Sequence, residues 1–154
     1  MTQHVRSTHR IRLPAPADRA FRFFTPAGES LWVEGWQPRY VRPADGRTQA
    51  GMVFLTGSVE AFTLWLLADF DPARRRSRYI RTTPAWRVGT VEIACEPDGP
   101  EACQVDVAYD LTAVSEAGAA TLEEFRGDAF ARMIEGWGER IRARLPQLLQ
   151  ADIA

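Results

Sequence analysis

The chain reads as an α+β domain: a series of antiparallel hairpins followed by one long amphipathic helix. Three observations predict it. Residues 4–13 alternate apolar and polar side chains, as a half-buried strand does. Gly and Pro then punctuate the chain at short intervals to about residue 115, which suits strands joined by tight turns. Beyond that, apolar residues recur at spacings of three and four from Leu122 to Leu145, the period of a helix with one greasy side.

Each element follows from its residues. In the first strand Val5, Ser7, His9, Ile11 and Leu13 share one face, while Arg6, Thr8, Arg10 and Arg12 share a wet one. Pro14 and Pro16 end it. Pro16 suits the first turn of a short helix through Phe21, Phe23 and Phe24, because its missing N–H would be unpaired there. Thr25-Pro26 repeats the signal and opens a second short helix toward Trp32. Strands are expected at 39–42, 52–56, 61–70, 78–83, 86–95 and 103–113, broken at Asp45-Gly46, Gly57-Ser58, Asp71-Pro72, Pro84 and Pro97-Asp98-Gly99-Pro100. The faces of 61–70 and 78–83 stay ambiguous: both sides of the first are apolar, and both sides of the second carry Arg.

The last hairpin can be registered from sequence. Centring its turn on Gly99 pairs Cys95 with Cys103, Ile93 with Val105, Val91 with Val107 and Gly89 with Tyr109. Every one of those partners is apolar or small, and the opposite faces carry Thr90 and Glu92 against Gln104, Asp106 and Asp110. Thr121-Leu122-Glu123-Glu124 has the form of a capping box and marks the start of the long helix. Along it Leu122, Phe125, Ala129, Phe130, Met133, Ile134, Trp137, Ile141 and Leu145 form the apolar stripe. Pro146 should kink or end the helix near Arg142.

Composition bounds the function. A length of 154 residues, 45% of them apolar and 25% charged, suits one globular domain spanning 1–154 without metal or disulfide support. The net charge of -1 offers no field for nucleic acid or an anionic membrane. All 19 basic residues are Arg, a bias with no mechanistic content. No stretch approaches membrane-spanning length, and the first ten residues lack a signal-like apolar core, so a cytoplasmic protein with free thiols at Cys95 and Cys103 is expected. His4 and His9 fall on opposite faces of their strand, and no ligand spacing for a metal appears. There is no phosphate-cradling glycine loop and no nucleophile elbow, and no cofactor is expected. Arg74-Arg75-Arg76 reads as a solvated turn.

The order strand, two short helices, six strands and long helix resembles the START-like, polyketide cyclase/dehydrase-like superfamily, often labelled SRPBCC. The run from Phe24 through Trp32, continuing to Gly35-Trp36-Gln37-Pro38, carries the likeness. So does the stretch ending Leu111-Thr112 before the final helix, with Phe125, Phe130 and Trp137 upon it. The resemblance implies a helix-grip fold, in which a curved sheet of about seven strands wraps a long C-terminal helix and leaves a cavity between them. On that likeness Val91, Ile93, Val105, Val107, Tyr109 and Leu111 would wall the cavity from the sheet. Phe125, Met133 and Trp137 would do so from the helix. The plainer reading of the same side chains is a filled core. Gly136 and Gly138, flanking Trp137, fit either close helix–sheet contact or open space.

His9 is the polar residue of interest, because the topology would bring it near Tyr109, where the pair could orient a ligand or exchange a proton. A structural histidine is the plainer reading. Arg87 fits a rim cation, Glu29 a supporting hydrogen bond by the cavity mouth, and Trp32 and Trp36 a lid or an anchor for the short helices. The expected function is binding of a small hydrophobic molecule (lipid, aromatic or polyketide-like) by a monomer or homodimer, through His9, Trp36, Val91, Ile93, Val107, Tyr109, Phe125, Met133 and Trp137. Two other readings remain open. One is a cyclase-, dehydratase- or hydrolase-type enzyme with His9 as acid-base group and Tyr109 as helper. The other is a protein-interaction module with a collapsed cavity.

Overall fold

A computed structural model describes residues 3–153; Met1, Thr2 and Ala154 lie outside them. Strand β1 (His4–Leu13) leads into helices α1 (Ala17–Arg22) and α2 (Pro26–Glu29). Six strands follow: β2 (Arg39–Arg42), β3 (Val53–Gly57), β4 (Phe62–Asp71), β5 (Arg76–Thr83), β6 (Arg87–Pro97) and β7 (Cys103–Ala113). Helix α3 (Glu116–Thr121), a 3-10 turn (Leu122–Phe125), α4 (Gly127–Ala143) and α5 (Leu145–Gln150) complete the chain. All seven strands form one antiparallel sheet in the order β1-β7-β6-β5-β4-β3-β2, with α4 packed across β1. This is the α+β, helix-grip arrangement that the pattern predicts. Among the described residues, no helix is long and apolar enough to cross a membrane.

The alternation in β1 holds as read: Val5, Ile11 and Leu13 are buried, and Arg6, Arg10 and Arg12 pair outward with Asp110, Asp106 and Asp98. Thr25 caps α2 by accepting the Gly28 N–H at 3.0 Å. A side chain at Gly28 would collide with the Arg22 carbonyl, so only glycine lets α2 fold back this tightly on α1.

Three expectations are corrected. The β6–β7 register is displaced by two residues: Cys95 faces Val105, Ile93 faces Val107, Val91 faces Tyr109 and Gly89 faces Leu111. The turn is centred one residue later than expected, and a shift of two preserves both faces, which is why the apolar pattern could not expose the slip. Cys95 and Cys103 are consequently not cross-strand neighbours, and both are buried free thiols.

The long helix starts at Gly127, not Thr121. Ser115, four residues before Ala119, caps α3 by accepting from Gly118 N. Thr121 ends that helix, its hydroxyl donating to the Gly118 carbonyl and accepting from Arg87. Arg126 is extended and Gly127 takes a φ of +46°, so the chain turns before α4 begins. The apolar stripe survives the break, with Leu122 and Phe125 on the first piece and Phe130, Ile134 and Ile141 on the second, all buried. Pro146 stands in the first turn of α5, after a break at Arg144.

Neither reading of the helix glycines holds. A side chain at Gly138 would meet the Arg142 guanidinium at 3.1 Å, and one at Gly136 would meet only Arg140. Gly138 makes room for Arg142, which donates to the Arg12 carbonyl and ties α4 to β1.

The two ambiguous strands resolve through a bulge. In β4 the pairing steps from Leu67–Tyr79 to Asp69–Arg78, leaving Ala68 extra. Trp65 and Leu67 face inward before it and Phe70 after it, where Phe70 stacks on Phe21. In β5 Ser77 and Tyr79 are buried, so Arg81 falls on the inner face and Ile80 on the outer.

Candidate functional site

A cavity of about 280 Å³ lies between the inner face of the sheet, the α2 segment and α4. Val91 and Ile93 of β6 and Tyr109 of β7 form its floor, Phe54 and Trp65 one wall, and Trp32, Val33 and Trp36 the wall below α2; Trp137 closes it from α4. Roughly twice the ~150 Å³ void that admits one benzene ring, it suits a molecule of one or two rings.

The rings hold one another in place. Phe54 and Trp65 are cross-strand partners stacked at 5.7 Å with their planes 2° apart, and Trp36 meets both edge-on at 6.1 and 6.0 Å. Trp137 lies edge-on to Trp32 at 5.9 Å. The indole N–H groups are spent on anchoring: Trp32 donates to the Phe23 carbonyl, Trp36 to that of Pro26, and Trp65 to the Thr56 hydroxyl. Trp32 and Trp36 therefore fasten the short-helix segment, and Trp36 also presents its ring to the cavity. Tyr79 is likewise committed, its hydroxyl donating to the Phe24 carbonyl at 3.0 Å.

Three polar groups in the lining remain. Glu29 projects from α2, and burial pushes its carboxyl well above the ordinary value. Tyr109 is buried beneath Phe125, Phe130 and Trp137, and its phenol is pushed up to about 12 by burial, against the opposing pull of Arg81. Arg81 lies over the Trp65 ring at 4.8 Å and beside Tyr109, with its Nε–H buried and without an acceptor among the described residues.

Of the residues expected at the site, Trp36, Val91, Ile93, Tyr109 and Trp137 come together around this cavity. The others do not reach it. Val105, Val107 and Leu111 are fully buried core. Phe125 stacks behind Tyr109, and Met133 packs half-buried against the core. His9 shares the inner face, but it sits opposite Val107 on the outermost strand, under α4, where its Nε2 lies 2.8 Å from the Glu135 carboxylate. Ser7, not His9, faces Tyr109, and the expected His9–Tyr109 pair is absent from the lining. Arg87 is held by Thr121 and lies 5.1 Å from the Phe125 ring, behind the cavity rim.

Arg81, Trp65 and Phe54 were missed as site residues because the inner faces of β3–β5 were not assigned. The usable signal was the parity of Tyr79 and Arg81 in a strand whose other face also holds Arg.

No protein-family model matches the chain, and no curated protein matches it. Solved structures do. Norcoclaurine synthase from Thalictrum flavum, in complex with dopamine and hydroxybenzaldehyde, is 12% identical with a TM-score of 0.61, over 88% of this chain and 85% of that one. The di-domain ARO/CYC BexL of the BE-7585A biosynthetic pathway is 16% identical with a TM-score of 0.68, over 96% of this chain and 48% of its own. A START superfamily protein from Mycobacterium smegmatis is 14% identical with a TM-score of 0.65, over 93% and 98%. With one antiparallel sheet closed by a C-terminal helix, and these structures superposing over nearly its whole length, the chain has the START-like helix-grip fold.

Proposed function

We propose that this protein binds a small aromatic or similarly flat, apolar molecule of one or two rings in the cavity between β3–β7, α2 and α4. The observation that carries the reading is the lining itself: an unfilled space of about 280 Å³ walled by Phe54, Trp65, Trp36 and Trp137 and floored by Val91 and Ile93. Ring stacking and apolar burial supply affinity there, and a few fixed polar groups supply orientation. Norcoclaurine synthase, of the same fold, holds dopamine and hydroxybenzaldehyde, molecules of the size this space accepts. The unfilled space also speaks against an interaction module with a collapsed cavity.

One observation favours catalysis as a second reading. Glu29 is a desolvated carboxyl inside the cavity, with Tyr79 and Tyr109 within its electrostatic reach. Burial raises this carboxyl above the ordinary carboxylate range, and it stands in the cavity lining where His9 does not, so in an enzyme of this shape Glu29, not His9, takes the acid–base role.

The test of binding is a thermal-shift series with naphthalene-, indole- and phenol-type compounds beside long-chain fatty acids. Saturable stabilisation by the ring compounds and none by the long chains is expected. Stabilisation by the chains alone would overturn the size argument. Turnover of any compound that binds, lost in Glu29→Gln, would favour the catalytic reading.

A further inference from the structure

We infer that the molecule held in this cavity carries an anionic group, a carboxylate or its equivalent, that docks on Arg81 while its ring system lies against Trp65 and the apolar floor. This rests on the binding reading above and adds the ligand's charge class to it. The argument starts from cost. A charged side chain withdrawn from water is normally met by an opposite charge, and an N–H left without an acceptor is unfavourable. Arg81 is half-buried on the inner face of β5, yet no carboxylate pairs with it among the described residues, and its Nε–H finds no acceptor. Its neighbours are the Trp65 ring, the Phe125 ring at 5.9 Å and the Tyr109 phenol.

A second cation strengthens the field. Arg87 also lies by Phe125, at 5.1 Å, its Nε–H likewise buried without an acceptor among the described residues, and Arg81 and Arg87 oppose each other electrostatically. Glu124 attracts Arg87 only from a distance, and no ion pair forms. The one acid among the lining residues is Glu29, which forms no ion pair with Arg81 and whose charged form burial disfavours. The Arg81 guanidinium carbon is held 4.8 Å from the Trp65 ring centre, and a guanidinium fork can receive a carboxylate through two parallel N–H donors.

The test is isothermal titration with two probes of one shape, 2-naphthoate and its neutral isostere 2-naphthamide, at neutral pH. Wild type is expected to bind the anion about ten- to a hundredfold more tightly, the scale of one charge-assisted contact in a desolvated site. In Arg81→Gln and Arg81→Met, checked as folded by circular dichroism, that preference falls to about onefold. Arg81→Lys keeps part of it. Equal affinities in wild type, or a preference that survives both neutral variants, overturn the charge assignment and leave the cavity reading standing. Failure of both probes to bind overturns the cavity reading and this inference with it.

Discussion

Trp65 and Arg81 are direct partners across β4 and β5, and the guanidinium carbon of Arg81 stands 4.8 Å from the centre of the Trp65 ring. The contact places a cation on the wall of a largely aromatic cavity. A cation–π contact of this type contributes about 0.5–2 kcal/mol. A half-buried guanidinium with an unmatched N–H costs a comparable amount or more.

Arg81→Met should therefore leave stability unchanged or raise it, since the methionine keeps the stem over the indole and removes the orphan charge. Urea denaturation measures this; a loss above about 2 kcal/mol would mean that Arg81 is a structural residue.

Glu29 should make stability fall as pH rises. Its folded-state value is raised above the ordinary 4.5, so between the two values the native state holds the proton more tightly than the unfolded chain. The stabilisation is complete below the unfolded value and is lost as pH climbs through the folded one. Denaturation of wild type and Glu29→Gln across pH 4–8 should show the variant gaining relative to wild type as pH increases. Parallel curves would contradict the desolvation of Glu29.

Two aromatics on α4 should separate core from cavity. Phe130 is fully buried, and Phe130→Ala is expected to cost about 3–5 kcal/mol. Trp137 is larger but only partly buried and presents one side to the cavity, so Trp137→Ala should cost less than Phe130→Ala. The reverse order in urea denaturation would place Trp137 in the packed core.

His9→Ala should change little. Its partner Glu135 is 50% exposed, and a pair of that kind contributes less than about 1 kcal/mol. Ligand affinity by titration should be unaffected, because the imidazole lies on the α4 flank outside the cavity lining. A tenfold loss of affinity would restore His9 to the site.

These expectations show what the residues alone reveal. The strict alternation of β1 and the β6–β7 faces made the sheet legible, because a period of two with charges on one side admits one orientation. The floor residues Val91, Ile93 and Tyr109 followed from it. The register did not, since a two-residue slip keeps every side chain on its own face. His9 was misplaced for a related reason: periodicity assigns a face but not a distance along the sheet, and α4 covers that face at β1 while the cavity opens over β3–β7. Arg81 was hard to read because an inward arginine breaks the apolar-inside rule that reads strands, and the Ala68 bulge separately reverses the parity of the neighbouring β4.

The most direct measurement of the central claim is isothermal titration of 2-naphthol into wild type and into Ile93→Phe, whose added ring projects from the floor into the space beside Trp137. Saturable one-to-one binding in wild type, weakened at least about tenfold in the folded variant, is the predicted result. No saturable binding in wild type, or equal affinity in both, would contradict it.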